Sequence, residues 1–333
     1  MPPAPNPKTN GSTPMAPNPL AGRNPSWHRS EDAQPFADDH IRLDDGRRLA
    51  YAEFGDPSPK GRAIFWFPGT PGARTQIPPS APRIGRAKGL RLIGVDRPGF
   101  GGSSPHRRRT LLTWADDIRQ LADRLSIERF ACVGLSGGGP YVLACAHAMP
   151  ERMVCGVSLG GVGPLSRREQ RAGAPGLPLP LYAVVRGVGR FRGPIAACLG
   201  FAIRFAVPFA GQAYDLYVNY GPTSGDQEVM RRPELKNMFL EDALMGIRRG
   251  LKGPVWDVSL FARPWPFSPR EIRVPIRFWH GDKDPVVPLS HSEHLSQVIP
   301  DAHLTVVAGL GHFAGFASAP AVLDQIDALW PEG

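Results

Sequence analysis

Residues 130–149 read FACVGLSGGGPYVLACAHAM. FACVG (130–134) is a short, continuous apolar run of the kind that forms a strand buried on both faces. GGPYVLACAHAM continues as a helix. Between them Ser136 stands in a G-x-S-x-G frame with Gly134 and Gly138. A serine between glycines arises easily by chance, and an incidental Ser in a Gly-rich turn would look the same without the flanks. With a strand before and a helix after, the frame describes a tight turn that only small neighbours permit and that strains the serine backbone. Such a turn lifts the hydroxyl above the carboxyl end of a sheet, over a helix N-terminus whose free N–H groups favour a developing anion.

Working outward, IRLDDGRRLAYAEFG (41–55) reads as two strands joined by a turn at Asp45-Gly46. AIFWF (63–67), RLIGVD (91–96), MVCGVSLG (153–160), PIRFWHG (275–281) and HLTVVAG (303–309) read as further strands. Trp114, Ile118, Leu121 and Leu125 repeat at helical spacing over 113–125, and further helical stretches fill 291–298 and 319–330. Strands alternating with helices predict an α/β fold, a doubly wound, mostly parallel sheet flanked by helices. Residues 164–270 break the rhythm: they are rich in Pro, Gly and Arg, are helical where periodic, and lack strand-like runs. They are expected to form a helical cap or lid inserted into a core made of 37–163 and 271–333. Residues 1–36 hold nine prolines and are expected to be a disordered arm, too poor in apolar surface to offset its ordering entropy.

Within the insertion, Gly193–Tyr214 has one charge, Arg204, and two prolines, Pro194 and Pro208. A charge at the centre of a span costs about 2.5–3.5 kcal/mol. As a helix, the segment places Ile195, Cys198, Leu199, Ala202 and Ile203 on one face, with Arg204 opposite Ile195. An amphipathic lid helix is therefore expected; peripheral membrane contact through the cap is the alternative.

Across 333 residues the formal charge is +9. Of 39 basic residues 33 are Arg, and the densest run is only Arg107–Arg109. Nucleic-acid binders concentrate such charge on one element, so scattered Arg predicts a solvated surface and no nucleic-acid partner. Cys132, Cys145, Cys155 and Cys198 lie in apolar contexts without metal-ligand or disulfide-framework spacing. The expectations are no metal, no cofactor, a reducing compartment and, with no signal-peptide pattern, a cytoplasmic protein. The sequence carries no reading of oligomeric state.

A serine at its ordinary pKa needs a base, itself oriented by an acid. FWHGDKDPVVP (278–288) follows one strand and supplies Asp282 and Asp284; GLGHFAG (309–315) follows the last and supplies His312. The order Ser, Asp, His suits this arrangement, and 21 residues remain after His312 for a closing helix. Of the nine histidines, His280 is the rival and is expected to be a structural partner near the acid. Asp284, whose backbone is restricted by Pro285, is preferred over Asp282, which suits a loop-capping role. An oxyanion would need two donors: the backbone N–H of Gly137 and a group from PGTPG (68–72), with Thr70 the natural one.

FPGTPG, DRPGFGGSS, GLSGGGP, HGDKDPVVP and GLGHF resemble, in order and spacing, the motifs of the α/β-hydrolase fold superfamily over about residues 40–330. The resemblance implies Ser136, Asp284 and His312 as nucleophile, acid and base, and Thr70 and Gly137 as the oxyanion hole. It makes Asp96 and Arg97 structural. Pro68-Gly69 stands where the family often has His-Gly, which bears on loop support. A serine nucleophile argues against haloalkane dehalogenases and epoxide hydrolases of this fold. Hydrolysis of a carboxylic ester with an apolar acyl or aromatic part, through an acyl-enzyme, is the leading expectation. An amidase or proline-iminopeptidase-like peptidase, and a carbon–carbon bond hydrolase with the same triad, are the alternatives. A non-catalytic small-ligand binder of the same fold is the reading from a different class.

Overall fold

The computed structural model describes residues 34–59, 61–165, 209–220 and 223–331. Eight strands form one sheet in the order β1 (Ala37–Arg42), β2 (Arg48–Gly55), β4 (Leu90–Val95), β3 (Arg62–Phe67), β5 (Phe130–Leu135), β6 (Met153–Leu159), β7 (Ile276–Gly281) and β8 (Ala302–Val307). β1 and β2 are antiparallel to their neighbours, and every pairing from β4 to β8 is parallel. The expected doubly wound, mostly parallel sheet is present.

Period-two alternation sorts the strand residues onto two cores. Ile64 and Trp66 pack with Leu92, Val133, Leu323 and Ile326 on one face. Phe65 and Phe67 pack with Ile93, Trp114, Leu121 and Tyr141 on the other. Because helices cover both faces, both parities of a central strand are apolar, and its sequence reads as an unbroken run. One face is covered by α1 (Ala81–Lys88) and the C-terminal α10 (Ala319–Leu329). The other is covered by α2 (Leu111–Arg124) and α3 (Gly139–Ala148). Helix α2 begins at Leu111, two residues before the stretch 113–125 whose spacing is helical. Thr110 caps it reciprocally with Thr113, whose N–H and hydroxyl lie 3.1 and 2.8 Å from their partners on Thr110.

Strand β3 lies between β4 and β5, so the chain leaves it through α1 to one side and returns through α2 to the other. Loops leaving the carboxyl ends of strands at such a reversal diverge and open a crevice. Phe67 is level with Gly134 in the register, which brings the loop after β3 beside Ser136. The loops after β6, β7 and β8 follow along the same rim.

Between Leu159 and Ile276 the described residues contribute no strand to the sheet. They form α4 (Ala210–Tyr220), α5 (Ser224–Met230), α6 (Pro233–Ile247) and α7 (Lys252–Phe261). Helix α8 (Ser290–Val298) then joins β7 to β8, and α9 (Ala314–Ala317) precedes α10. Most of Gly193–Tyr214, with Cys198 and Arg204, lies outside the described residues, as does the arm as far as Ala33. Among the described residues no helix is long and apolar enough to cross a membrane.

Candidate active site

Ser136 has φ +53°, in the left-handed region. A non-glycine residue is held there only by its surroundings. Those surroundings are the end of β5 and the 3₁₀ turn Ser136–Gly138 that feeds α3. A Cβ at Gly134 would meet the backbone and side chain of the following helix, with Val142 Cγ2 at 2.8 Å, so only glycine fits there. The Ser136 carbonyl accepts from Val162 N–H at 3.2 Å.

Val162 belongs to the loop after β6, which also supports the acid and the base. Gly160 there has φ +54°, and a Cβ on it would stand 3.4 Å from Asp284 Oδ2 and 3.5 Å from His312 Nδ1. The segment 160–162 therefore touches the serine backbone at one end and the acid–base pair at the other.

Asp284 and His312 meet directly, Oδ2 to Nδ1, at 2.7 Å. The Asp284 side chain is fully buried. Its Oδ1 accepts from Val286 and Val287 N–H at 2.8 and 2.9 Å, and His280 Nε2 lies 3.2 Å from Oδ2. Burial works to raise the pKa of this carboxyl; the bonds from His280 and His312, the charge of His312 and the Val287 N–H outweigh it. The result is a carboxyl held well below the usual range. An ionised acceptor at Nδ1 places the proton there and leaves the lone pair on Nε2. His280 is buried beneath the acid, bonded to Ser292 Oγ at 2.7 Å and Val287 O at 2.8 Å. Asp282 turns away and takes the Gly309 N–H at 2.7 Å. The structure thus brings Asp284, and not Asp282, to the imidazole.

The loop after β3 is tied down on every side. Gly69 N–H donates to Gln76 Oε1 at 2.5 Å. The Arg97 guanidinium donates to Pro68 O, to Gly69 O at 2.8 Å and to Thr70 Oγ1 at 2.8 Å. The Thr70 hydroxyl in turn donates to Asp257 Oδ2 at 3.1 Å. Thr70 and Gly137 are in contact: a Cβ on Gly137 would collide with Thr70 Oγ1. The side chain of Thr70 is thus held by Asp257 and Arg97 next to Gly137.

Three further residues bear on the site, and sequence reasoning passed over them. Asp257 on α7 is fully buried and gathers Arg97 Nε (2.8 Å), Arg109 Nη2 (2.5 Å) and Tyr141 OH (2.7 Å) besides Thr70. Burial, and then the Asp257 charge, push the Tyr141 phenol far up. Asp242 on α6, also fully buried, accepts from Ala73 N–H, Thr75 Oγ1 and Gln76 Nε2 at 2.9–3.0 Å. Asp226 on α5 accepts from the backbone N–H groups of 311, 312 and 313. The sequence does not single them out: Asp257 is the one acid of α7, but α5 also carries Glu228 and α6 also carries Glu234 and Glu241, a pattern equally common on solvated faces.

A family model described as the alpha/beta hydrolase fold matches residues 63–195. The chain has the α/β-hydrolase fold. Among its relatives is a 2-hydroxy-6-oxononadienedioate/2-hydroxy-6-oxononatrienedioate hydrolase of Pseudomonas putida, 27% identical over 70% of this chain and 74% of the relative. The corresponding hydrolase of Cupriavidus pinatubonensis is 28% identical over 71% of this chain and 74% of its own. Among solved structures, an esterase from Exiguobacterium antarcticum superposes with a TM-score of 0.62 at 17% identity, covering 87% of this chain and 99% of its own. A bromoperoxidase from Bacillus anthracis does so with a TM-score of 0.62 at 20% identity, covering 88% and 98%. With this fold and these relatives, the chain is an enzyme of the hydrolase class.

Proposed function

We propose that the protein is a serine hydrolase that cleaves a carboxylic ester through an acyl-enzyme. The observation that carries this reading is the 2.7 Å bond from His312 Nδ1 to the buried Asp284 carboxylate, on the same rim as the strained Ser136. His312 Nε2 takes the Ser136 proton as Oγ attacks the ester carbonyl. The Gly137 and Thr70 N–H groups receive the negative charge that develops on the carbonyl oxygen. The imidazolium then returns the proton to the departing alcohol, leaving Ser136 acylated. Water repeats the sequence, deprotonated by His312, and releases the acid. Asp284 stays ionised throughout, orienting the ring and stabilising its charged form. The apolar character of the inserted helices favours an acyl or aromatic substrate of low polarity.

A second reading is favoured by the relatives named as carbon–carbon bond hydrolases. The same three side chains would then act on a ketone whose neighbouring carbon leaves. A p-nitrophenyl ester series of rising chain length separates the readings, run beside aminoacyl anilides and a 2-hydroxy-6-oxo-dienoate, with Ser136→Ala as control. Ester turnover that vanishes in the control supports the first reading. Turnover of the dienoate alone transfers the protein to the second, and of anilides alone to an amidase.

A further inference from the structure

Asp226 lies on α5, inside the long connection between β6 and β7, and its side chain is buried. Its Oδ2 accepts from His312 N–H at 2.7 Å, and its Oδ1 accepts from Gly311 and Phe313 N–H at 3.1 and 3.3 Å. One carboxylate therefore receives three consecutive backbone N–H groups centred on His312. Among the described residues no cation forms an ion pair with it. Burying an unpaired carboxylate is costly, and only charge-assisted bonds of this kind offset it. The approach also constrains the loop sequence, because a Cβ on Gly311 would collide with Asp226 Oδ2.

The other half of the same loop is held from β7. Gly309 N–H bonds to Asp282 at 2.7 Å, and Leu310 O receives the Lys283 N–H at 3.0 Å. Those contacts stop one residue short of Gly311. From Gly311 to Phe313 the backbone is fixed by Asp226, and the ring of His312 by Asp284. The following helix α9 holds the same segment through its carbonyls, Gly311 O accepting from Ala314 N–H at 3.3 Å and Phe313 O from Ala317 N–H at 2.9 Å, whereas its three N–H groups all go to Asp226.

We propose that Asp226 is a positioning residue for the base: a carboxylate supplied by the inserted helices that sets the backbone of His312, so that Nε2 points where Ser136 needs it. The inference rests on the serine-hydrolase reading above. It differs from a role in merely fastening helices to the sheet, which Asp242 fulfils at the 73–76 loop. A base misplaced by about 1 Å costs about 10²-fold in rate while substrate contacts persist.

The test uses the full chain and Asp226→Asn, which turns an acceptor oxygen into an N–H donor facing N–H groups. With an ester substrate, kcat should fall about 10- to 100-fold while KM changes less than about threefold. The rate of Ser136 labelling by a fluorophosphonate should fall with kcat. In a His312→Ala background supplied with free imidazole, the loop no longer holds the base, and Asp226→Asn should slow labelling by less than about twofold. Asp242→Asn should slow labelling similarly in both backgrounds. Thermal midpoints verify folding; if Asp226→Asn does not fold, Asp226→Glu, which keeps the charge but displaces it by a methylene, carries the same comparison. Wild-type kinetics in a folded Asp226 variant, or an equal loss in the His312→Ala background, would overturn the positioning role and leave the serine-hydrolase reading standing. Folded wild type that resists the probe would overturn that reading and the inference with it.

Discussion

The sheet and the helices inserted between β6 and β7 serve the site by different physics. The sheet contributes the proposed reacting groups, Ser136 after β5, Asp284 after β7 and His312 after β8, and places them by strand register inside two apolar cores. The inserted helices contribute three carboxylates, Asp226, Asp242 and Asp257, each 0–1% exposed. Each grips the backbone or side chains of a loop at the rim. Hydrophobic burial is non-directional and fixes where strands lie. Charge-assisted hydrogen bonds are directional and fix how a loop is shaped. A fold can thus inherit its chemistry from one region and the precision of that chemistry from another.

This division makes substitutions of the sheet-borne groups kinetic, whereas helix-borne ones act through the loop each carboxylate holds, on the rate at Asp226 and on stability at Asp257. The largest effect should come from Ser136→Ala, which should lower kcat on any accepted ester by about 10⁶-fold with little change in thermal midpoint. Asp284→Asn should follow at about 10⁴-fold in kcat, again in a folded protein, as circular dichroism would verify. Asp257→Asn should act differently. It removes the partner of buried Arg97 and Arg109 and should cost about 3–5 kcal/mol of stability in a urea titration. Were it to lower kcat with no stability loss, the division would break. A smaller effect is expected from pH. The Asp284 pKa is depressed in the folded state, against about 3.9 when unfolded. Its contribution to stability is present in full above about pH 4 and lost as pH falls through the folded value. The urea midpoint of wild type should therefore drop more steeply below pH 4 than that of Asp284→Asn. At the bottom of the scale, Arg119→Ala removes an exposed link to Asp116 and Asp123 and should shift stability by less than about 0.5 kcal/mol.

The sheet was legible because its signals are local. AIFWF and FACVG are apolar at both parities, and the glycines around Ser136 answer a backbone demand that the positive φ of that residue makes visible. Asp284 was preferred over Asp282 because of Pro285 and the loop that follows it, and it is Asp284 that lies 2.7 Å from the imidazole. His280 was placed near the acid, and the structure adds Ser292 and Val287 as its other partners. The three helix-borne carboxylates were not legible, because nothing adjacent in sequence records a partner 85 or more positions away, as from Asp226 to Gly311. Arg97 was expected to be structural. What sequence could not give was its object, the carbonyls of Pro68 and Gly69. Those bonds support the loop where Pro68 departs from the family's His-Gly.

In the proposed mechanism the hydroxyl of Ser136 becomes nucleophilic because His312, held by Asp284, removes its proton. Mass-spectrometric mapping of the folded wild-type protein after reaction with a fluorophosphonate tests this most directly. The prediction is a single adduct on the tryptic peptide 130–152, assigned to Ser136 and formed at least about 10³-fold more slowly in His312→Ala. An adduct elsewhere, or one at Ser136 that forms equally fast without the imidazole, would contradict it.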